Sequence, residues 1–188
     1  MLLTYVSLSE QRSQFRRQGK ARIMNNVVPI NIESISVSTG HNYWKNKMGT
    51  PGVHPTKQLV TVRAVADCGL EGDRFFRTDK VSKGQITFFS IETYEEMKKQ
   101  LNIANVPVEL CRRNIIVRGI DVMSLIGKKF NIGDVEFEGT MHCTPCEWMD
   151  NAFGKGALAF LNEVGGGLRA KILKSGNINI GQTNLKVL

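Results

Sequence analysis

Short apolar segments with a two-residue period, separated by glycine-bearing turns, recur through most of this 188-residue chain. Strand side chains point alternately to opposite faces, so such segments bury one face and wet the other. VPINIESISVS places Ile30 and Ile32, then Ile35 and Val37, at alternate positions. LVTVRAVA alternates in the same way, and NIIVRG is apolar enough to be buried on both faces. FNIGDVEFEGT reads as a hairpin around Gly133-Asp134, with Val135 and Phe137 sharing a face, and AKILKSGNINIG repeats that design around Ser175-Gly176. NLKVL supplies a last, closing strand.

Helical segments are few. Ser90 stands where it would cap IETYEEMKKQLN, in which Ile91, Tyr94, Met97 and Leu101 share one face. ALAFLNEV reads as a second helix ended by Gly165-Gly166-Gly167, and a short helix is expected just after Cys146. Many strands with two or three helices predict a mostly β, α+β chain folded as a barrel with helical decoration.

Residues 1–26 are polar, basic and weakly patterned, and read as a disordered extension ahead of one domain over 27–188; Met24 is an alternative start. That extension explains much of the net charge of +8, because Arg12, Arg16, Arg17, Lys20 and Arg22 face only Glu10 in its first 23 residues. The positive charge favours anions, phosphate-bearing cofactors among them, and no aromatic ladder or recognition motif comes with it to suggest nucleic acid. No run approaches the roughly 18 apolar residues of a membrane span, and no secretion signal is evident. The expectation is a cytoplasmic protein whose Cys68, Cys111, Cys143 and Cys146 stay reduced.

The strongest chemical signal is His142-Cys143-Thr144-Pro145-Cys146-Glu147-Trp148-Met149. A structural zinc site needs four ligands, and only one closely spaced cysteine pair is present. A thioredoxin-like pair needs a later proline loop facing it, but Pro145 is the last proline. Two buried cysteines, or one reactive thiolate with a silent neighbour, remain. A helix starting at Cys146 would favour the thiolate there. Three further segments carry polar groups at strand ends: Gly69-Leu70-Glu71-Gly72-Asp73-Arg74, Arg112-Arg113-Asn114, and Ser38-Thr39-Gly40-His41-Asn42-Tyr43 with its loop to His54. Each reads equally well as a surface turn; paired arginines beside an amide also suit an anion, which a guanidinium holds in bidentate fashion.

In this order the segments VSTGHNYW, GLEGDRFF, KGQITFFS, RRNIIVRGIDVMSLIGKKFNIGDVEFEGT, HCTPCEWM and GGGLRAKIL resemble the MOSC domain, the carboxyl-terminal domain of molybdenum cofactor sulfurases, from about residue 33 to the end. The small stand-alone bacterial members are the nearest functional model. The resemblance implies a β-barrel that binds the molybdenum–molybdopterin cofactor or carries its sulfur. It implies that Cys146, the family's shared cysteine position, is the catalytic thiol and molybdenum ligand. It implies cofactor binding by Thr39, Gly40, His41, Arg74, Arg113 and Asn114, with Arg113 and Asn114 at the pterin phosphate. Pyridoxal phosphate enters by family association only, since the resemblance includes no domain for it. The stand-alone relatives reduce N-hydroxylated bases such as hydroxylaminopurine, which implies the same reductase chemistry here. The alternative is a carrier of sulfur or of sulfurated cofactor with Cys146 as thiol acceptor and no turnover. Either role needs a separate protein that donates electrons or sulfur, because no flavin, haem or iron–sulfur motif is present.

Overall fold

The computed structural model describes residues 26–41, 53–78, 84–104 and 106–188. The amino-terminal extension and most of the GHNYWKNK loop therefore lie outside the described residues. The elements run β1 (Val27–Val37), β2 (Lys57–Leu59), β3 (Thr61–Val65), β4 (Gly69–Leu70), β5 (Ile86–Ser90), α1 (Ile91–Leu101), β6 (Ile115–Arg118), β7 (Lys129–Ile132), β8 (Val135–His142), α2 (Trp148–Phe153), α3 (Ala157–Val164), β9 (Leu168–Lys174), β10 (Gly176–Asn179) and β11 (Gly181–Val187).

Seven strands close into a barrel in the order β1-β11-β7-β8-β9-β5-β6 and back to β1. Closure depends on β1, which pairs with β11 over Val27–Ile32 and with β6 over Asn31–Ile35. The register to β6 shifts between Ile32 and Ser34. That shift explains the change of phase in the sequence: Ile32 and Ile35 are three apart, yet both are buried in the barrel core. Inside, Phe88, Phe130 and Phe137 pack with ring centroids 5.3–5.8 Å apart. The hairpin at Gly133-Asp134 is present, with Ile132 opposite Val135.

β5 and β6 are the one parallel pair among the described strands, joined by a crossover through α1. Their faces are split between two cores. Phe88, Ile115 and Val117 face the barrel, whereas Phe89 and Ile116 join α1, α2 and α3 in a second cluster with Met97, Trp148, Phe153 and Leu161. Burial on both sides is why NIIVRG is a continuous apolar run.

Three local expectations are corrected. LVTVRAVA is not one strand: it breaks at the exposed Val60, so β2 joins β1 while β3 joins a separate three-stranded sheet, β10-β3-β4. Ser175-Gly176 does not make a hairpin, because β10 pairs with β3 and the Ser175 hydroxyl accepts from the Ala66 amide at 2.9 Å. Ser90 sits at the amino end of α1, but its hydroxyl donates to the Ile120 carbonyl at 2.6 Å instead of capping the helix. The α3 helix ends at Gly165 as expected, with φ 118° and ψ 125°, outside the left-handed helical region.

The tightest backbone approach near the barrel wall is at Gly139, where an added Cβ would lie 2.1 Å from the Leu125 carbonyl oxygen. Gly133 has a positive φ of 56° but open space around it. Gly139→Ala should therefore destabilise by roughly 3 kcal/mol or more, and Gly133→Ala by about 1 kcal/mol. Urea unfolding midpoints at unchanged m-value check this; equal shifts would show that steric contact at Gly139 does not set its tolerance.

Candidate functional site

One rim of the barrel collects the polar segments. Antiparallel pairing brings the end of β1 beside the start of β6, and the end of β8 beside the start of β9, while β5 lies between β6 and β9. A small open cleft, enclosing about 40 Å³, lies there, lined from β1 and its following loop by Ser36, Ser38, Gly40 and His41, and from the opposite side by Arg74, Arg112, Arg113 and Asn114. The structure thus brings together five of the expected residues. Thr39 is exposed and lies outside the lining, and so does the half-buried Cys146.

Asn114 is the hub of this rim. Its Oδ1 accepts from the Thr87 amide at 3.0 Å and from the Thr87 hydroxyl at 2.9 Å. Its Nδ2 donates to the Ser36 carbonyl at 3.1 Å and to Asp73 Oδ2 at 3.3 Å. Its side chain is therefore occupied in tying β1, β5 and the GLEGDRFF turn together. Asp73, buried, also accepts from the amides of Ser38 (3.4 Å) and Phe75 (3.0 Å), which fixes the turn that presents Arg74.

Arg74 carries the clearest binding signal. Its amide donates to the Ser38 carbonyl at 2.8 Å, its guanidinium lies 4.6 Å above the Phe75 ring, and Asp73 is 3.9 Å away. The same Phe75 ring meets His41 edge-on at 5.3 Å, so one aromatic side chain orients both cleft residues. Arg74 Nε is buried without a hydrogen-bond partner. Burial pulls the guanidinium below its usual value, against the opposing fields of Asp73 and Cys143. A desolvated cation with an unmet donor is stabilised by an incoming anion. A Cβ on Gly40 would lie 2.3 Å from the His54 ring, so a larger residue there requires that ring to move.

Arg113 behaves differently. Its guanidinium is buried and donates to three backbone carbonyls: Gly166 at 2.8 Å, Cys111 at 2.7 Å and Cys143 at 3.0 Å. Cys143 follows β8, is buried, and acts electrostatically on Arg74. Cys146 packs against the helical cluster, and its carbonyl accepts from the Met149 amide at 2.8 Å, at the turn that opens α2. The helix itself begins at Trp148, two residues later than Cys146.

Arg112 and Asp73 stood in the polar segments singled out in the sequence but not among the residues expected to bind the cofactor, and Phe75 was not singled out at all. Phe75 acts through tertiary contacts, with Arg74 and His41, and gave no local signal. Among the described residues no group of three histidine, cysteine or acidic side chains is placed to hold a metal, and no helix is long and apolar enough to cross a membrane.

The MOSC domain family model matches residues 71–183, more than half of the chain. This chain belongs to the MOSC domain family. No curated protein matches it by sequence. Among solved structures it is similar to the YuaD protein from Bacillus subtilis, at 16% identity and TM-score 0.67, covering 86% of this chain and 97% of that one. It is also similar to YiiM from Geobacillus stearothermophilus, at 12% identity and TM-score 0.60 over 85% of this chain and 75% of that one. YiiM from Escherichia coli gives 14% and 0.55 over 86% and 69%. These likenesses show a shared fold, and the family is associated with molybdenum cofactor binding.

His142 stands next to the cysteine segment of this MOSC barrel, and its Nε2 accepts from the Gly166 amide at 2.6 Å. Burial, with Arg113 and Arg169, lowers its pKa. The folded state thus binds fewer protons than the unfolded one below the usual imidazole value of about 6.5, so stability is full above that pH and falls as the pH drops towards the folded pKa. His142→Gln keeps an acceptor but cannot titrate. Its melting temperature should fall less than the parent's between about pH 7 and pH 5; parallel curves would show that His142 is not the titrating group.

Proposed function

We propose that this MOSC domain binds the molybdenum–molybdopterin cofactor at the described rim and uses it to reduce N-hydroxylated compounds. The observation that carries the reading is the buried, unpartnered Nε of Arg74 lining a basic cleft beside the cysteine segment. Such a cleft suits a phosphate-bearing ligand: Arg74 and Arg112 face it and His41 and Gly40 border it, with Asn114 and the positive charge of Arg113 behind. Thr39 would contact the cofactor from the loop edge. Cys146 would supply the soft sulfur ligand that molybdenum favours. Because the described residues offer no protein ligand cluster, a metal here is best served by a ligand that brings its own chelating group. When bound, the cofactor supplies two-electron oxygen-atom chemistry. The chain's own residues then anchor the phosphate, orient the ligand towards the cysteine segment and provide the thiol. Electrons would come from a separate donor protein, in the cytoplasm.

The test is molybdenum content and hydroxylamine turnover of protein purified from a cofactor-competent host. Cys146→Ser should abolish both while the fold survives, and Cys143→Ser should keep much of both. Full activity in Cys146→Ser overturns the assignment of the ligand, and equal loss in both variants points to a paired-thiol site. Molybdenum without turnover in the parent assigns the carrier role instead.

Arg74→Gln should weaken cofactor retention roughly tenfold to a hundredfold, as expected for about 1.5–3 kcal/mol from a charge-assisted hydrogen bond. Retention equal to the parent's places the anion elsewhere.

A further inference from the structure

Arg113 lies between the cleft and the cysteine segment, and its bonds tie the turn just before it to two parts of the chain remote in sequence. It joins the carbonyl of Cys111, at the end of a single 3₁₀ turn, to those of Cys143 and Gly166. The latter two segments are also stitched directly: the Cys143 amide donates to the Gly167 carbonyl at 2.7 Å, and the Gly166 amide to His142 Nε2. Glycine permits this approach at Gly166, and at Gly167 it lets the turn lie against β5. A Cβ on Gly166 would lie 2.6 Å from the Cys143 carbonyl oxygen, and one on Gly167 would lie 2.5 Å from that of Phe88.

We infer that Arg113 is a positioning residue, a clamp that holds the 142–146 segment on the Gly166-Gly167 turn and thereby fixes where the Cys146 thiol stands. The inference rests on the reading of Cys146 as the functional thiol. Its physical basis is independent of any ligand. A planar guanidinium offers five donors in a fixed fork, so one side chain spans three carbonyls that would otherwise be buried and unmet. Lysine, a single nitrogen on a flexible stem, cannot span all three. Pro145 restricts Thr144, leaving few free torsions between the clamped Cys143 and Cys146.

The experiment is iodoacetamide alkylation of the folded full-length protein, followed thiol by thiol by peptide mass spectrometry. Parent, Arg113→Ala, Arg113→Lys and Leu161→Ala are compared under conditions where each is folded. Leu161 lies in the same helical cluster, so Leu161→Ala serves as a destabilised control without touching the clamp. Cys68, in the turn between β3 and β4, is the internal reference. Cys143 and Cys146 should react at least about tenfold faster in Arg113→Ala than in Leu161→Ala, as expected for loss of hydrogen bonds to a charged group, with the Cys68 rate unchanged. Arg113→Lys should fall between parent and Arg113→Ala. If Arg113→Ala matches Leu161→Ala, the arginine stabilises the domain as a whole and the clamp is refuted. If Arg113→Ala does not fold, Arg113→Lys decides: parental rates at both thiols refute the clamp, and raised rates confined to Cys143 and Cys146 support it. Alkylation does not read the cofactor, so a confirmed clamp in a protein that takes up no molybdenum would defeat the cofactor reading and leave the clamp standing.

Discussion

Closure of the barrel through β1 is the constraint on which the rest depends. This eleven-residue strand pairs with β11 at one end and β6 at the other, and the change of register near Ser34 lets it serve both. A one-residue slip would turn Ile30 and Ile32 out of the core, so the buried face pins the register. The site inherits that precision. With β1 fixed against β6, Ser36 stands opposite Asn114, and its amide donates to the Asn114 carbonyl at 2.7 Å. Everything basic on the rim is placed relative to that junction.

The rim then separates two jobs that side chains of one type can do. Asn114 and Arg113 spend their hydrogen-bonding groups on the protein, and so does Asp73, which turns its oxygens towards Asn114 and the amides of Ser38 and Phe75. Arg74 keeps an unmet donor. A buried charge is tolerated only when something compensates its desolvation. For Arg113 three carbonyl dipoles do so. For Arg74 the partial compensation is an aromatic face and a carboxylate at 3.9 Å. The difference between the two is a difference in readiness for an anion.

Much of this was legible in the sequence. The alternating runs with few helices gave the barrel. The GLEGDRFF, RRN and STGH segments were each visible as polar strand ends, and eight of their residues converge on the cleft, five of them expected to bind the cofactor. What local patterning cannot carry is the choice of partner. LVTVRAVA alternates through Val60, yet its two halves belong to different sheets, because β3 is claimed by β10 from more than a hundred residues away. Ser175-Gly176 looks like a hairpin for the same reason: turn chemistry is local, and the strand it feeds is not. Ser90 has the right residue type for a cap, but its buried hydroxyl meets the carbonyl of Ile120, a demand set by the crossover.

The pair Arg112-Arg113 shows the same limit at the scale of a site. Two adjacent arginines beside an amide read as one anion clamp, and chemistry alone gives no reason to divide them. Backbone geometry does. Arg112 adopts a left-handed conformation, φ 58° and ψ 41°, as the 3₁₀ turn ends. Arg113 is directed beneath the rim to the glycine turn and the cysteine segment. The glycines make that possible, since a Cβ on Gly167 would lie 3.2 Å from Arg113 Nε. Thus Gly166-Gly167, which in sequence looks only like the end of a helix, is also what lets a buried guanidinium reach the carbonyl of Cys143. The basic cleft and the thiol segment are coupled through backbone carbonyls, so the position of the thiol depends on residues that need never touch a ligand.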